Sequence, residues 1–228
     1  VIGFWAAEKT APDTIVLKDE NGEVLNTLEM LRQQIKKAAN QPSFSLADFI
    51  KPTVGDDTNP TDYMGAFAVS IHGIEPHLQK FADDHDDYHK IMLQAIADRL
   101  AEAFAEVLHK RVRTEFWGYI SDEQIALTDL VKEEYQGIRP APGYPACPDH
   151  TEKLKLFELL NATENAGITL TESLAMYPAA AVSGWYFSHP QSSYFGINKI
   201  SEDQLHDYAR RKGMSIEEIS RWLSPVLE

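Results

Sequence analysis

Apolar residues pattern the chain from its first positions. Val1-Ile2-Gly3-Phe4-Trp5-Ala6-Ala7 is a strand-like run. Ile15-Val16-Leu17 and Glu23-Val24-Leu25 flank Asp19-Glu20-Asn21-Gly22. Asn-Gly between two such runs predicts a hairpin, because both residues tolerate positive φ. Leu28, Leu31, Ile35 and Ala38 recur at helical spacing, with Lys36 and Lys37 where a helix C-terminus favours cations, so a helix is expected there. Lys51 to Thr61, rich in Pro, Gly, Asp and Asn, predicts an exposed loop, and Gly65-Ala66-Phe67-Ala68-Val69 a buried strand. The longest element runs from about Asp84 to Arg113. Tyr88, Ile91, Met92, Ile96, Leu100, Phe104 and Val107, with Ala95, Ala103 and Leu108, form one wide apolar stripe along it.

Ser121 and Gln124 predict a capped helix, and Asp149 and Glu152 open another from Thr151 to Leu160. Ser173 to Tyr177, Val182 to Phe187 and Tyr194 to Ile197 read as strands. Ser201/Gln204 and Ser215/Glu218 cap two closing helices. Strands and helices come in groups, not in strict alternation, so the expected class is α+β. The expected fold is one domain over residues 1–228: a twisted, mainly antiparallel sheet with flanking helices, one of them long and central.

Composition narrows the partners. The formal net charge is −14 over 228 residues, with no clustered basic stripe, which argues against nucleic acid. No apolar run approaches the roughly 20 residues of a spanning helix, and no signal peptide is visible, so no membrane association is expected. The lone Cys147 cannot form an internal disulfide, which fits a reducing cytoplasm. The apolar start without an initiator Met reads as a fragment of something longer.

Chemistry concentrates between Ile138 and His150. Pro140, Pro142, Pro145 and Pro148 forbid a helix and a central strand there, leaving a stiff loop. Arg139, Tyr144, Cys147, Asp149 and His150 are set into it. Rigidity lowers the ordering cost of binding, so the loop is a candidate site; the plain alternative is an inter-domain linker. Arg139 is the strongest single candidate, since its fork grips a carboxylate or phosphate with two parallel bonds. The helix N-terminus after the loop favours anions. Tyr194 and Phe195 serve either to stack a flat ligand or to pack a core. Asp98 and Glu102 lie four apart on the long helix, either as a solvated face or as an acidic wall for a cationic ligand. Glu75 is a lone carboxylate beside Pro76. Cys147 with His150 could be a thiol nucleophile and its base, or a small residue packing in a tight loop. His85 and His89 are four apart, but no third ligand is suggested, and no metal is assigned. Neither nucleotide-binding glycine pattern occurs.

Arg139-Pro-Ala-Pro-Gly-Tyr-Pro-Ala-Cys-Pro-Asp-His150 resembles the signature of the C-terminal activation domain of cobalamin-dependent methionine synthase. So do His85-Asp-Asp-Tyr88, Ala97-Asp-Arg-Leu-Ala-Glu-Ala-Phe104, Val182-Ser-Gly-Trp-Tyr-Phe-Ser-His-Pro190 and Asp207-Tyr-Ala-Arg-Arg-Lys-Gly-Met214. The resemblance implies a function. That family's enzyme moves a methyl group from methyltetrahydrofolate to homocysteine through cobalamin. When cob(I)alamin is oxidised to cob(II)alamin, the activation domain binds S-adenosylmethionine and presents its methyl to cobalt. A flavodoxin or flavoprotein reductase supplies the electron. Cobalamin and zinc belong to other domains of the parent enzyme, so this chain is expected to bind rather than to catalyse alone.

By residue, the resemblance implies that Arg139 grips the carboxylate of S-adenosylmethionine and that Glu102 lies near its amino group. Ala141, Gly143 and Tyr144 line the loop, and Tyr194 and Phe195 lie along the ligand. Asp98, Glu75 and His150 are implied at an interface with the cobalamin-binding domain. The family's domain also extends further N-terminally, where an Asp contacts the adenosyl moiety. Lack of that stretch is expected to leave apolar surface exposed. Two other readings compete: a docking module for a flavodoxin-type reductase that binds no ligand, and an enzyme built on Cys147 and His150.

Overall fold

The computed structural model describes residues 1–38, 40–52 and 62–228. Strands β1 (Ile2–Ala11), β2 (Thr14–Lys18), β3 (Val24–Glu29), β4 (Asp62–Ser70) and β7 (Ala181–Tyr186) form a five-stranded sheet in the order β3-β2-β1-β4-β7. β1 pairs antiparallel with β2, and β2 with β3. β5 (Thr169–Leu170) and β6 (Met176–Tyr177) make a separate antiparallel pair. With the helices below, this is an α+β fold with a mainly antiparallel sheet. The β2–β3 turn forms as its sequence predicts: Gly22 takes φ +82°, and the Asp19 carboxylate accepts the Asn21 and Glu23 backbone N–H groups at 2.8 Å.

The chain forms two compact units: Val1–Gly3, Ala66–Glu123 and Leu156–Gly184 in the first; Phe4–Gly65, Gln124–Lys155 and Trp185–Glu228 in the second. The first holds α1 (Glu75–Asp83) and the 25-residue α2 (Asp87–Arg111). Asp86 caps α2, its side chain accepting the His89 N–H. α2 buries Ala97, Ala101, Ala105, Leu108 and His109. Three of its alanines therefore face inward, while Ala95, Ala103 and the large apolar residues of the stripe, Leu108 excepted, are exposed. The helix ends in a π turn at Val112–Phe116, where Trp117 N–H reaches the Val112 carbonyl at 3.0 Å. Arg113 then locks the end through a fully buried fork onto Glu123, with bonds of 2.5 and 2.7 Å.

The second unit closes on α6 (Glu202–Lys212) and α7 (Ile216–Leu223). Their apolar faces meet Leu31, Ile197 and Ile200 in one core with Leu205, Tyr208, Ala209, Ile219 and Leu223. Charges follow the helix dipole on α6, acidic in the first turn and basic in the last. The Ser215 hydroxyl caps α7 by accepting the Glu218 N–H at 3.2 Å.

Several local expectations are overturned. No helix forms from Leu28 to Ala38: Leu28 pairs with Ile15 in the sheet, and Leu31 joins the core of α6 and α7. Arg32 N–H donates to the Gln204 side chain at 2.6 Å and Gln33 N–H to the Phe44 carbonyl at 3.0 Å, so tertiary bonds take the place of helical ones. Ser121 caps nothing; the short α3 (Leu127–Val131) starts after Ala126. The Ser201 hydroxyl turns to Asp203 and Gln34, and Gln204 spends its amide on Arg32. Tyr194 to Ile197 is irregular, and only Met176–Tyr177 of the stretch from Ser173 is strand. Most of the expected loop from Lys51 to Thr61 lies outside the described residues.

Candidate functional site

The proline loop is held at both ends and in its middle. At its start Ile138 and Phe187 exchange two backbone hydrogen bonds of 3.0 Å, and Trp185 N–H donates to the Pro140 carbonyl at 2.9 Å. Arg139 therefore sits between two ladder positions, on backbone that cannot drift. In the middle, Gly143 N–H reaches the Cys147 carbonyl at 2.7 Å, and Ile197 N–H the Pro145 carbonyl at 2.8 Å. Gly143 has φ +93°, and a Cβ there would lie 2.3 Å from His150 Cε1. Only glycine permits both the turn and the imidazole packed against it.

At its end the loop meets a buried charge network. Asp149 accepts the Thr151 N–H at 2.8 Å and the Thr151 hydroxyl at 2.7 Å, just before α4 (Glu152–Leu160). It also accepts the Tyr208 hydroxyl and the Lys212 ammonium, each at 2.8 Å. Lys212 reaches Thr151 Oγ1 at 2.6 Å and Glu152 at 2.5 Å as well. Lys155 bridges Glu152 at 3.0 Å and the Thr27 carbonyl at 2.7 Å, tying the loop to β3. Burial works to raise the Asp149 pKa, but Lys212 and the Thr151 bonds overcome it and hold the carboxyl below its ordinary value. Burial works to lower Lys212, but Glu152 and Asp149 overcome it and raise the ammonium pKa. The anion at this helix start is thus the chain's own Asp149, which corrects the expectation of a site open to a ligand there. Lys212 and Tyr208 stood out only as members of the motif Asp207–Met214, with no role of their own. Lys212 sat in a basic run suited to any helix end, and Tyr208 on an ordinary apolar face.

Arg139 and Tyr194, 55 positions apart, come together: Arg139 N–H donates to the Tyr194 hydroxyl at 2.9 Å. The guanidinium is steadied by Nη1 donating to the Tyr135 hydroxyl at 2.6 Å. Tyr135 carried no signal in the sequence. Tyr144 is exposed, and Ala141 is half-buried beside it in the loop. Phe195 packs its half-buried ring on Phe44 and Phe49, with centroids 5.8 and 6.2 Å away, so its side chain serves core packing.

The Cys147–His150 enzyme is not supported. Cys147 is buried, and burial, with Glu152 and Asp149 nearby, pushes its thiol well above its ordinary pKa. His150 is lowered by burial and by Lys153, whose Nζ lies 3.0 Å from Nδ1. An uncharged thiol beside a weak base is poor nucleophilic machinery. His85 takes φ +56° before α2 starts, and His89 Nδ1 pairs with the capping Asp86 at 2.6 Å, so the two do not share a helical face. Among the described residues no group of three or more His, Cys, Asp or Glu could hold a metal. No helix among them is long and apolar enough to cross a membrane.

The other candidate carboxylates lie in the first unit. Glu75, at the start of α1, and Asp98, on α2, line one groove of about 500 Å³ with Gln79, Lys90, Gln94 and Tyr177. Glu102 is exposed one turn further along α2 and does not line that groove.

Residues 1–213 match the family described as the vitamin B12-dependent methionine synthase activation domain. A solved structure described as the MetH reactivation domain bound to AdoHcy matches with a TM-score of 0.91 and 50% sequence identity. The match covers 99% of this chain and 69% of that one. The chain belongs to the activation-domain family of vitamin B12-dependent methionine synthase.

Proposed function

We propose that this chain binds S-adenosylmethionine and presents its methyl group for the reductive reactivation of methionine synthase. The observation that carries the proposal is the likeness, at 50% identity over 99% of the chain, to a reactivation domain solved with AdoHcy, the product left when that methyl is gone. Arg139 takes the ligand's carboxylate: the ladder fixes its backbone, Tyr135 steadies its guanidinium, and the planar fork matches a carboxylate. The bond from the Arg139 N–H to the Tyr194 hydroxyl supports assigning Tyr194 to the same site. Ala141, Gly143 and Tyr144 present loop backbone and one aromatic face, and the Phe195 backbone runs beside Tyr194. Glu102 offers a carboxylate for the ligand's ammonium. The stiff loop lowers the ordering cost of holding the methyl in one direction.

The group that accepts the methyl is cobalamin, carried by another domain, and it supplies the metal nucleophile. Glu75 and Asp98 offer their shared groove to a cationic or imidazole group of that domain, and His150 is proposed as a separate contact with the same domain. A flavodoxin or flavoprotein reductase is the proposed electron donor, and the cytoplasm the proposed compartment.

Calorimetric titration with S-adenosylhomocysteine tests the ligand reading. Arg139→Ala is expected to weaken binding by roughly 10- to 100-fold, the worth of about 1.5–3 kcal/mol for a hydrogen bond to a charged group. Binding equal to the parent chain removes Arg139 from the site. No binding by any variant, with the fold intact by circular dichroism, favours the ligand-free docking module.

A further inference from the structure

Arg139 is bracketed by two phenols. Tyr194 accepts its backbone N–H at 2.9 Å, and Tyr135 accepts Nη1 of its side chain at 2.6 Å. The backbone bonds around Ile138 and Pro140 pin the main chain of Arg139 but not its guanidinium, which ends a long side chain with several rotatable bonds. A head group that is loose before binding has to be ordered when the ligand arrives, and affinity falls by that ordering cost. Tyr135 supplies the hold that the backbone does not. Its ring turns about only two side-chain torsions, so its hydroxyl is a firm point once the main chain is set.

The main chain of Tyr135 is set on both flanks. Glu134 N–H reaches the Asp129 carbonyl at 3.0 Å on one side. On the other, Gln136 Nε2 donates to the Ser188 carbonyl at 2.8 Å, next to the Phe187 that pairs with Ile138. α3 has already ended at Val131, so no helical turn brings Tyr135 to Arg139. Gly137, at φ +91°, folds the chain back instead, in a conformation that favours glycine. The chemistry of the holder matters as well. A carboxylate in its place would pair with the guanidinium and cancel the charge that draws an anionic ligand group. A phenol is neutral at ordinary pH and orients the fork without cancelling that charge.

We propose that Tyr135 is a positioning residue: it holds the Arg139 guanidinium ready for the ligand's carboxylate, and so sets the preference of the site for a nucleoside that carries an amino acid over one that does not. This role rests on Arg139 as the carboxylate grip. Calorimetric titration of the chain tests it with two probes, S-adenosylhomocysteine and methylthioadenosine, which keeps the nucleoside and the thioether and lacks the amino-acid end. Tyr135→Phe is expected to weaken S-adenosylhomocysteine roughly 3- to 10-fold and to leave methylthioadenosine within about twofold. In an Arg139→Ala background the same change should shift S-adenosylhomocysteine by less than about twofold, because no fork is left to hold. Unchanged S-adenosylhomocysteine affinity in Tyr135→Phe overturns the inference. Equal weakening of both probes, or equal weakening with and without Arg139, overturns it as well and makes Tyr135 a support of the loop at large. A parent chain that binds neither probe overturns the ligand reading itself, and this inference with it.

Discussion

Gly143 shows how narrow the tolerance of the loop is. Its positive φ and the His150 ring against its Cα leave no room for a side chain. Gly143→Ala is expected to cost about 1–3 kcal/mol from backbone strain and overpacking together. Thermal unfolding measures that loss, and weaker S-adenosylhomocysteine binding should accompany it; an unchanged melting temperature contradicts the packing described. Cys147 makes a second residue-level prediction. Buried and held as a thiol, it should resist iodoacetamide at neutral pH in the folded chain and react once denaturant exposes it. Rapid native alkylation would reopen the thiol-enzyme reading. Both residues stood out in the sequence, yet their roles did not. A proline-rich loop advertises rigidity through its composition, whereas the imidazole that fills the space beside Gly143 does so only after the loop has folded back.

Among the elements, α6 and α4 are joined by ions. Lys212 leaves α6 to meet Asp149, Thr151 and Glu152 at the start of α4, with its side chain 3% exposed. Lys212→Met leaves the buried Asp149 carboxylate without its cation and Glu152 with Lys155 alone, a loss of about 3–5 kcal/mol. Chemical denaturation should show it as a lower midpoint, and Lys212→Arg should recover part of the loss through its own donors. Tyr208→Phe removes one donor from the Asp149 carboxylate but leaves its cation, and should cost about 1.5–3 kcal/mol. If Lys212→Met is as mild as Tyr208→Phe, the network is not what holds the loop. Helix patterns were legible where the periodic face is also the buried one, as in α6 and α7. They misled at Leu28 to Ala38, where sheet pairing and Gln204 take the backbone bonds. They misled again on α2, where alanines let the helix approach closely and the large residues face out.

Across the whole molecule the ionic ties set the response to acid. Arg32, Lys9 and the Ser45 backbone bond Asp48; they overcome the upward push of burial and hold its pKa at about 2 against an ordinary 3.8. Asp149 is lowered in the same way. A carboxyl lowered on folding contributes stability above its ordinary pKa and loses it as the pH falls through the folded value. The contribution of these carboxyls should therefore be full above about pH 4 and decline between there and about pH 2, while His150, lowered by burial, adds its own smaller loss as the pH falls below about 6.5. Denaturation midpoints across that range measure it, and Asp48→Asn should flatten the decline. A decline complete above pH 4, with no further step below it, would leave the carboxyls without a part in it. From sequence alone came the α+β class, the β2–β3 hairpin, the closing helices, the rigid loop and, through its long motifs, the family. These rest on local terms: periodicity, proline geometry, turn preference and contiguous signatures. Only the tertiary structure decided that Arg139 meets Tyr194 and Tyr135, that Asp149 belongs to Lys212, and that α2 turns its small side inward. Each of those depends on which distant segments share a surface, and that is settled by packing and by the pairing of buried polar groups over long separations.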